Sequence, residues 1–377
     1  MQFKTAKGKK DEKEFLSFRK KKYISDAKYV DNNYFMLQEI FDKKLHFVNS
    51  VEIIPAMILA EENDAALFNK NGSSVNAGDI LCEAIIAYAR QLPEYIQICF
   101  YESLEGCIEA TKLLVEHANE IGKDRGCKRI VIGLFGHVNY GLGFLDSHYD
   151  VMNSFSSLGN PKYYNDYFLE LGCDVIKLNS YYTHSLEHHL DRYAALIRKL
   201  NRKYQFRSFD KKKFEYYSKI YTDLNNACFT EHKYYYHRDY EDDAEMLKEL
   251  FLFMKEDSLI YAFDGEKPVG FILWYPDYNE LAKPGEVFGT KHFFLNKLKG
   301  KKIQTAKVME WGVLEKYRGV GLPIALTDAV LKTLSDYRCS RVESSWILAD
   351  NDDSNSICQA ICDEKYKEYA VYELEIR

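Results

Sequence analysis

Apolar positions along the chain alternate between helical and strand spacing. Residues 9–22 set Phe15, Leu16 and Phe18 among lysines, and 33–42 read NYFMLQEIFD; both predict helices. The apolar run Pro55–Ala60 predicts a buried strand closed by a turn at Asn63-Asp64. A strand at 95–100 leads into an amphipathic helix over 104–121, in which Ile108, Leu113, Leu114, Ala118 and Ile121 keep near-helical spacing. Gly122 and Gly126 end that helix, and 128–134 is the next strand. Asn160-Pro161 opens a helix stopped by Gly172, and 174–182 is strand-like.

A polar amphipathic helix over 186–203 then marks a boundary, with domains expected at 1–190 and 204–377. The second half repeats the order of the first. A strand at 206–209 and helices at 213–226 and 244–255 precede strands at 258–263 and 269–274, joined by the turn Asp264-Gly-Glu-Lys-Pro. A stretch rich in Gly, Pro and Lys (276–303) separates these from a strand at 305–313. A glycine loop, a helix at 322–336, a strand at 339–348, a helix at 353–362 and a strand at 366–376 complete the chain. The fold class expected is mixed α/β, with two copies of one topology.

Composition narrows the function classes. With 377 residues, 46% hydrophobic and 29% charged, each half can bury its own core. The net charge of -6 argues against a general nucleic-acid partner. Residues 1–30 nevertheless carry ten Lys/Arg against four Asp/Glu, a pattern expected of a solvated helix face. Nine scattered cysteines, several in apolar runs and none in a CxxC pair, read as reduced thiols and point to the cytoplasm. No apolar run nears the roughly 18 residues of a membrane span, and the first residues lack the apolar core of a signal peptide.

Chemistry concentrates after the strand at 305–313. Lys316-Tyr-Arg-Gly319-Val-Gly321 runs straight into a helix. Two glycines allow a tight turn and close approach to a ligand. The helix start offers free N–H groups and the positive end of a dipole. With Lys316 and Arg318 this suits a pyrophosphate, and Pro323 sits in the first turn, where its missing N–H costs nothing.

This region resembles the GNAT superfamily of N-acyltransferases, whose acyl-CoA loop reads Q/R-x-x-G-x-G/A. Lys316 stands at the Q/R position, and Gly319 and Gly321 match. The stretch from Asp264 to Asn279, Trp346-Ile-Leu-x-x-Asn351 and Tyr366-Lys-x-Tyr-x-x-Tyr372 resemble a bacterial group of tandem GNAT proteins. Phe100-Tyr-Glu-Ser103 and the segment from Asn160 to Gly172 extend the likeness to a degenerate first domain.

The resemblance implies tandem GNAT-like domains and acetyl-CoA, or another acyl-CoA, held by the second. The implied contacts are Trp311, Val313, Lys316, Arg318, Gly319, Val320, Gly321, Leu322 and Asn351. It implies acyl transfer to an amine of a small molecule or peptide, with backbone N–H near Trp311 or Val313 polarising the thioester. Glu310 is the nearest carboxylate for a base, against the alternative of a paired carboxylate within the fold. The tyrosine that often serves as acid is replaced by Cys358, seven residues after Asn351; Tyr369 and Tyr372 are substitutes, although among 30 tyrosines core packing is the ordinary role. Two other functions stay open: an aminoacyltransferase with a tRNA-borne donor, and a non-catalytic acyl-CoA sensor or interaction protein.

Two other features read as structural and a third stays open. Gly133 to Gly143 follows a strand without the helix or acid of a dinucleotide site. Of His184, His188 and His189, the first two would share a helix face at i, i+4, but no third metal ligand is evident, so solvated histidines are expected and no metal. Asp277 and Asn279 suit either acceptor contacts or a local turn.

Overall fold

The computed structural model describes residues 1–24, 26, 28–64, 75–187, 189–289, 291–292, 294 and 303–377. Two compact units divide the chain: Met1–Lys177 with Lys283–Phe288 and Tyr369–Arg377, and Leu178–Ala282 with Gly289–Glu368. Both are mixed α/β.

Unit 1 contains β1 (Gln2–Thr5), α1 (Gly8–Tyr23), α2 (Tyr34–Phe41), β2 (Val51–Leu59), β3 (Ile80–Ala89), β4 (Tyr95–Ser103), α3 (Ile108–Asp124), β5 (Arg129–Ile132), β6 (Phe144–Leu145) and α4 (Lys162–Glu170). Strands β1 to β4 form an antiparallel series, and β5 lies parallel to β4. The sixth place, antiparallel to β5, goes to the end of the C-terminal strand, with Tyr372 opposite Ile132. Helix α3 packs Ala110, Leu114 and Ala118 against Ile86, Ile96 and Ile98.

Strand β7 (Asp174–Thr183) begins in unit 1 and ends in unit 2. Unit 2 continues with α5 (Ala194–Lys203), β8 (Gln205–Ser208), α6 (Phe214–Cys228), α7 (Tyr240–Leu250), β9 (Leu259–Asp264), β10 (Lys267–Pro276), β11 (Thr305–Val313), α8 (Leu322–Tyr337), β12 (Arg341–Ser344), β13 (Ile347–Leu348), α9 (Asp352–Ile361) and the first part of β14 (Glu364–Glu375). Its strand pattern repeats that of unit 1. Strands β8 to β11 are antiparallel, β12 is parallel to β11, and Thr183 and Tyr182 of β7 pair antiparallel with β12. Asp264 faces Lys267 across the two-residue turn Gly265-Glu266, where Gly265 takes φ +62° as such a turn requires.

Side-chain alternation gives the unit 2 sheet two covered faces. Ile272, Trp274, Ala306 and Val313 pack under Ala325, Leu326, Val330 and Leu334 of α8. Phe271, between Ile272 and Gly270, meets Tyr221 of α6 on the other face, ring centroids 5.3 Å apart.

Three expectations change. The helix foreseen over 186–203 is helical only from Asp191 and α-helical from Ala194, so His184 sits beyond the end of β7 rather than on a helix face. The strand foreseen over 339–348 is broken into β12 and β13, and β13 pairs with β7. The basic N-terminal helix is not simply solvated, because Phe15, Leu16, Arg19 and Tyr23 are buried.

Candidate functional site

The loop after β11 is built to leave its donors open. A 3₁₀ turn over Glu315–Tyr317 follows the strand, and Gly319 and Gly321 then take φ +74° and +85° before α8 begins at Leu322. Among the described residues, the N–H groups of Gly319, Val320 and Gly321 meet no acceptor. Three open donors in a row at the start of a 16-residue helix are a backbone arrangement that suits an anion. A Cβ on Gly319 would meet nothing within 4 Å, so the loop surface there is clear; Val320 is 43% exposed.

The flanking charges divide the work. Lys316 is exposed and makes no ion pair among the described residues. Arg318 instead fastens the loop, its Nε donating to Val313 O at 3.2 Å and its Nη2 to Cys228 O at 3.1 Å. Leu322 is fully buried under the loop with Val313 and Tyr317.

Beside this loop, β11 has an uncovered edge. Its parallel partner β12 pairs only with Thr305–Val308, and Ser345 N–H makes a last contact with Val308 O at 2.7 Å. The chain then leaves for β7. Among the described residues no strand meets that side of Met309–Val313; Val313 C=O is taken by Arg318, and the remaining outward backbone groups are placed as an added strand would use them.

A bulge lies in the same stretch. Leu273 faces Glu310 while Trp274 faces Val308, which leaves Met309 as the extra residue. Beyond it, Trp311 and Val313 pack on the α8 side. Glu310 points to the opposite face, where its Oε2 accepts from Tyr221 Oη at 2.6 Å and from Asn225 Nδ2 at 3.2 Å. Tyr221 and Asn225 are fully buried at i and i+4 on α6. Burial raises the Glu310 pKa, and the two hydrogen bonds hold it down. A half-buried carboxylate with an upward-shifted pKa, fixed by two donors, is equipped to take a proton.

The other expected residues are placed elsewhere. Asn351 caps α9, its side chain accepting from Ser354 N–H at 3.1 Å. Tyr369 and Tyr372 lie in unit 1, opposite Leu145 and Ile132, and Tyr372 packs against Phe144 and Phe168. Cys358 is 3% exposed, its thiol pushed up by its bond with Cys362 and by burial. Asp277 accepts from Asn279 N–H at 3.1 Å, a local turn. His184 bonds Glu364, His189 bonds the Ile361 carbonyl, and His188 lies outside the described residues.

Residues with no motif also reach the site. Tyr221 and Asn225 carried a signal only in their helical spacing. Behind them, Arg238 and Asp243 form a buried ion pair at 2.6 Å. His232, in the turn after α6, keeps a buried Nε2 that meets no partner among the described residues.

The model of the acetyltransferase (GNAT) family matches residues 216–361, from the first turn of α6 to the end of α9. Over 157 residues the chain is 28% identical to protein YghO of Escherichia coli (strain K12), an alignment taking in 39% of this chain and 37% of YghO. The chain thus spans little more than a third of that relative's length. Among solved structures, a tandem GNAT protein from the clavulanic acid biosynthesis pathway superposes with a TM-score of 0.57 at 12% identity, covering 100% of this chain and 98% of the other. The GCN5-related glucosamine N-acetyltransferase region of a fungal multi-domain GH3 beta-N-acetylglucosaminidase gives 0.55 at 12% identity, covering 99% and 38%. At such identities the likeness is one of fold.

Proposed function

We propose that this chain, which matches the acetyltransferase (GNAT) family over residues 216–361, transfers an acetyl group from acetyl-CoA to an amine of a small molecule or peptide. The observation that carries this reading is the row of open N–H groups at Gly319, Val320 and Gly321, adjoining the uncovered edge of Met309–Val313.

The fit to acyl-CoA is chemical and local. Gly319 to Leu322 would hold the pyrophosphate, with Lys316 adding charge. The open edge at Trp311 and Val313 would align the pantetheine arm and aim an N–H at the acyl oxygen. When bound, acyl-CoA supplies the activated thioester. Glu310, set by Tyr221 and Asn225, would take the proton of the acceptor amine. Arg318 acts here as a positioning residue, because its guanidinium is engaged by two carbonyls. Tyr372 belongs to the unit 1 core, and the site proposed here is built from residues of unit 2. The cysteines are all free thiols, in keeping with a cytoplasmic protein.

One observation favours a second reading. Helix α9 contains no tyrosine and puts a buried Cys358 where an acid is expected, as a binder without turnover would. Calorimetric titration with acetyl-CoA, followed by a screen of amines for CoA release, separates the two. Saturable binding with amine-dependent release supports transfer. Binding with no release from any amine class favours the sensor. No binding at millimolar acetyl-CoA overturns both.

A further inference from the structure

Acyl transfer at this site needs a donor for the leaving sulfur. The open edge of β11 presents N–H groups to the acyl oxygen, but α9 offers no hydroxyl from a tyrosine.

The segment after α6 supplies a group in the right place. Helix α6 ends at Cys228, whose Cβ and Sγ each lie 3.1 Å from where a Cβ on Gly312 would stand. From there the chain turns back: His232 N–H donates to Phe229 O, and Tyr235 N–H to His232 O, both at 3.0 Å. The His232 ring lies against the Trp346 ring, centroids 6.0 Å apart with planes at 60°. Trp346 directly follows Ser345, the last residue bonded to β11 before the strands part. Residues 229–235 therefore start beside Gly312, on the α6 face of β11, and reach Trp346, next to the last residue bonded to that strand.

The tautomer of His232 is set by its neighbours. Tyr234 N–H donates to Nδ1 at 3.3 Å, so Nδ1 carries the lone pair and the neutral ring holds its proton on Nε2. That Nε2–H is buried and meets no acceptor among the described residues. An orphaned buried donor is costly, and such a group asks for a partner. Burial holds the ring's pKa down to about 4 against the pull of Asp350, so it stays neutral at pH 7.

We propose that His232 is a catalytic residue of the acyl-transfer site, its Nε2–H donating a hydrogen bond to the thioester sulfur as that atom gains charge. The inference rests on the acyl-CoA reading of unit 2. The amine nitrogen forms the C–N bond while the C–S electron pair departs with sulfur. The amine proton passes to Glu310 and on to solvent, and sulfur takes one proton from solvent to leave as CoA thiol. His232 keeps its own proton throughout, acting as a neutral donor.

The test uses the full chain labelled with ¹⁵N. Long-range ¹H–¹⁵N spectra of the imidazoles, assigned with His232→Gln, report the tautomer directly. Acetyl-CoA, CoA and desulfo-CoA are then titrated, with binding followed by calorimetry. The expected result is an Nε2-protonated ring whose signal moves with acetyl-CoA and CoA and stays with desulfo-CoA. A signal that ignores all three ligands while they bind, or moves equally with desulfo-CoA, overturns the role of His232 and leaves the acyl-CoA reading standing. If none of the three binds, the acyl-CoA reading fails and takes this inference with it.

Discussion

Substitution at Gly319 isolates backbone conformation from packing. This residue sits at φ +74°, and a Cβ there would meet nothing within 4 Å. A side chain therefore adds no clash, only the left-handed strain of roughly 1–2 kcal/mol. Loss of glycine freedom in the unfolded chain offsets about 0.4–1 kcal/mol of that. The net cost of Gly319→Ala is about 1 kcal/mol, a shift in melting temperature of about 2–4 °C for a unit of this size. Binding should suffer more than folding. If the loop relaxes away from positive φ, at least one of the open N–H donors turns from the pyrophosphate. A hydrogen bond to a charged group is worth roughly 1.5–3 kcal/mol, so acetyl-CoA affinity should fall on the order of ten- to a hundredfold.

The substituents should rank by their tolerance of positive φ: Gly, then Asn, then Ala, then Val. Calorimetry gives the affinities and thermal melts the stabilities. Gly321 is the contrasting site, because a Cβ there would stand 2.8 Å from Leu196 Cδ2, so Gly321→Ala should cost more stability. Acetyl-CoA binding by Gly319→Val within twofold of wild type would refute the anion cradle. Affinities that merely track melting temperature across the series would do the same.

Three further outcomes test other parts of the molecule. Tyr221→Phe removes a bond to the charged form of Glu310, raising a pKa already raised by burial, so the acid limb of the amine-dependent rate should move to higher pH; a limb that stays in place would show that Glu310 is not the base. Arg19 donates from Nε to both oxygens of Asp31 at 3.1 Å and pairs through Nη1 with Glu102 at 2.6 Å, all three groups buried, so Arg19→Met should cost about 3–5 kcal/mol in urea unfolding. Glu83 is fully buried, its pKa raised well above the carboxylate range by burial and by Glu102, so the folded state holds its proton more tightly than the unfolded. Wild-type stability should then fall as pH rises from the ordinary carboxylate range toward the folded pKa, and Glu83→Gln should remove that slope; parallel stability curves for the two would contradict it.

Local patterns were legible, and pairings across the chain were not. The glycine loop, the strand before it and the helix after it could be read because turn chemistry and periodicity act over a few residues. Glu310 was visible as a carboxylate on that strand, but its partners on α6 lie 85 and 89 positions away. The bulge at Met309 arises from register with β10, which no single strand encodes. Strand β3 went unread because nearly every residue of Ile80–Ala89 is buried, which erases the alternation of a half-covered strand. Tyr369 and Tyr372 looked usable because their strand follows α9, yet register sends that end of β14 to β5 and β6 in unit 1. His232 stands in a tyrosine-rich turn with no motif, and only the hydrogen bond to Nδ1 marks it.

The repeated topology raises the question of a second cofactor site, and the turn after the fourth strand of each unit answers it. In unit 2 that turn carries Lys316 and two glycines at positive φ. In unit 1 it is Leu104-Glu105-Gly106-Cys107, with one glycine at φ +81° and an exposed Glu105 just before α3. A carboxylate at a helix start repels a pyrophosphate where a lysine attracts it. Beside the turn, Glu102 is occupied as well, accepting from Tyr23 and Tyr164 and pairing with Arg19. One acetyl-CoA should therefore bind per chain, and the Gly319→Glu/Gly321→Glu double variant should bind none. Calorimetry reads both numbers. A stoichiometry near two, or residual binding by the double variant at wild-type affinity, would mean that unit 1 holds the cofactor despite Glu105 and that the charge of this turn does not decide where acetyl-CoA goes.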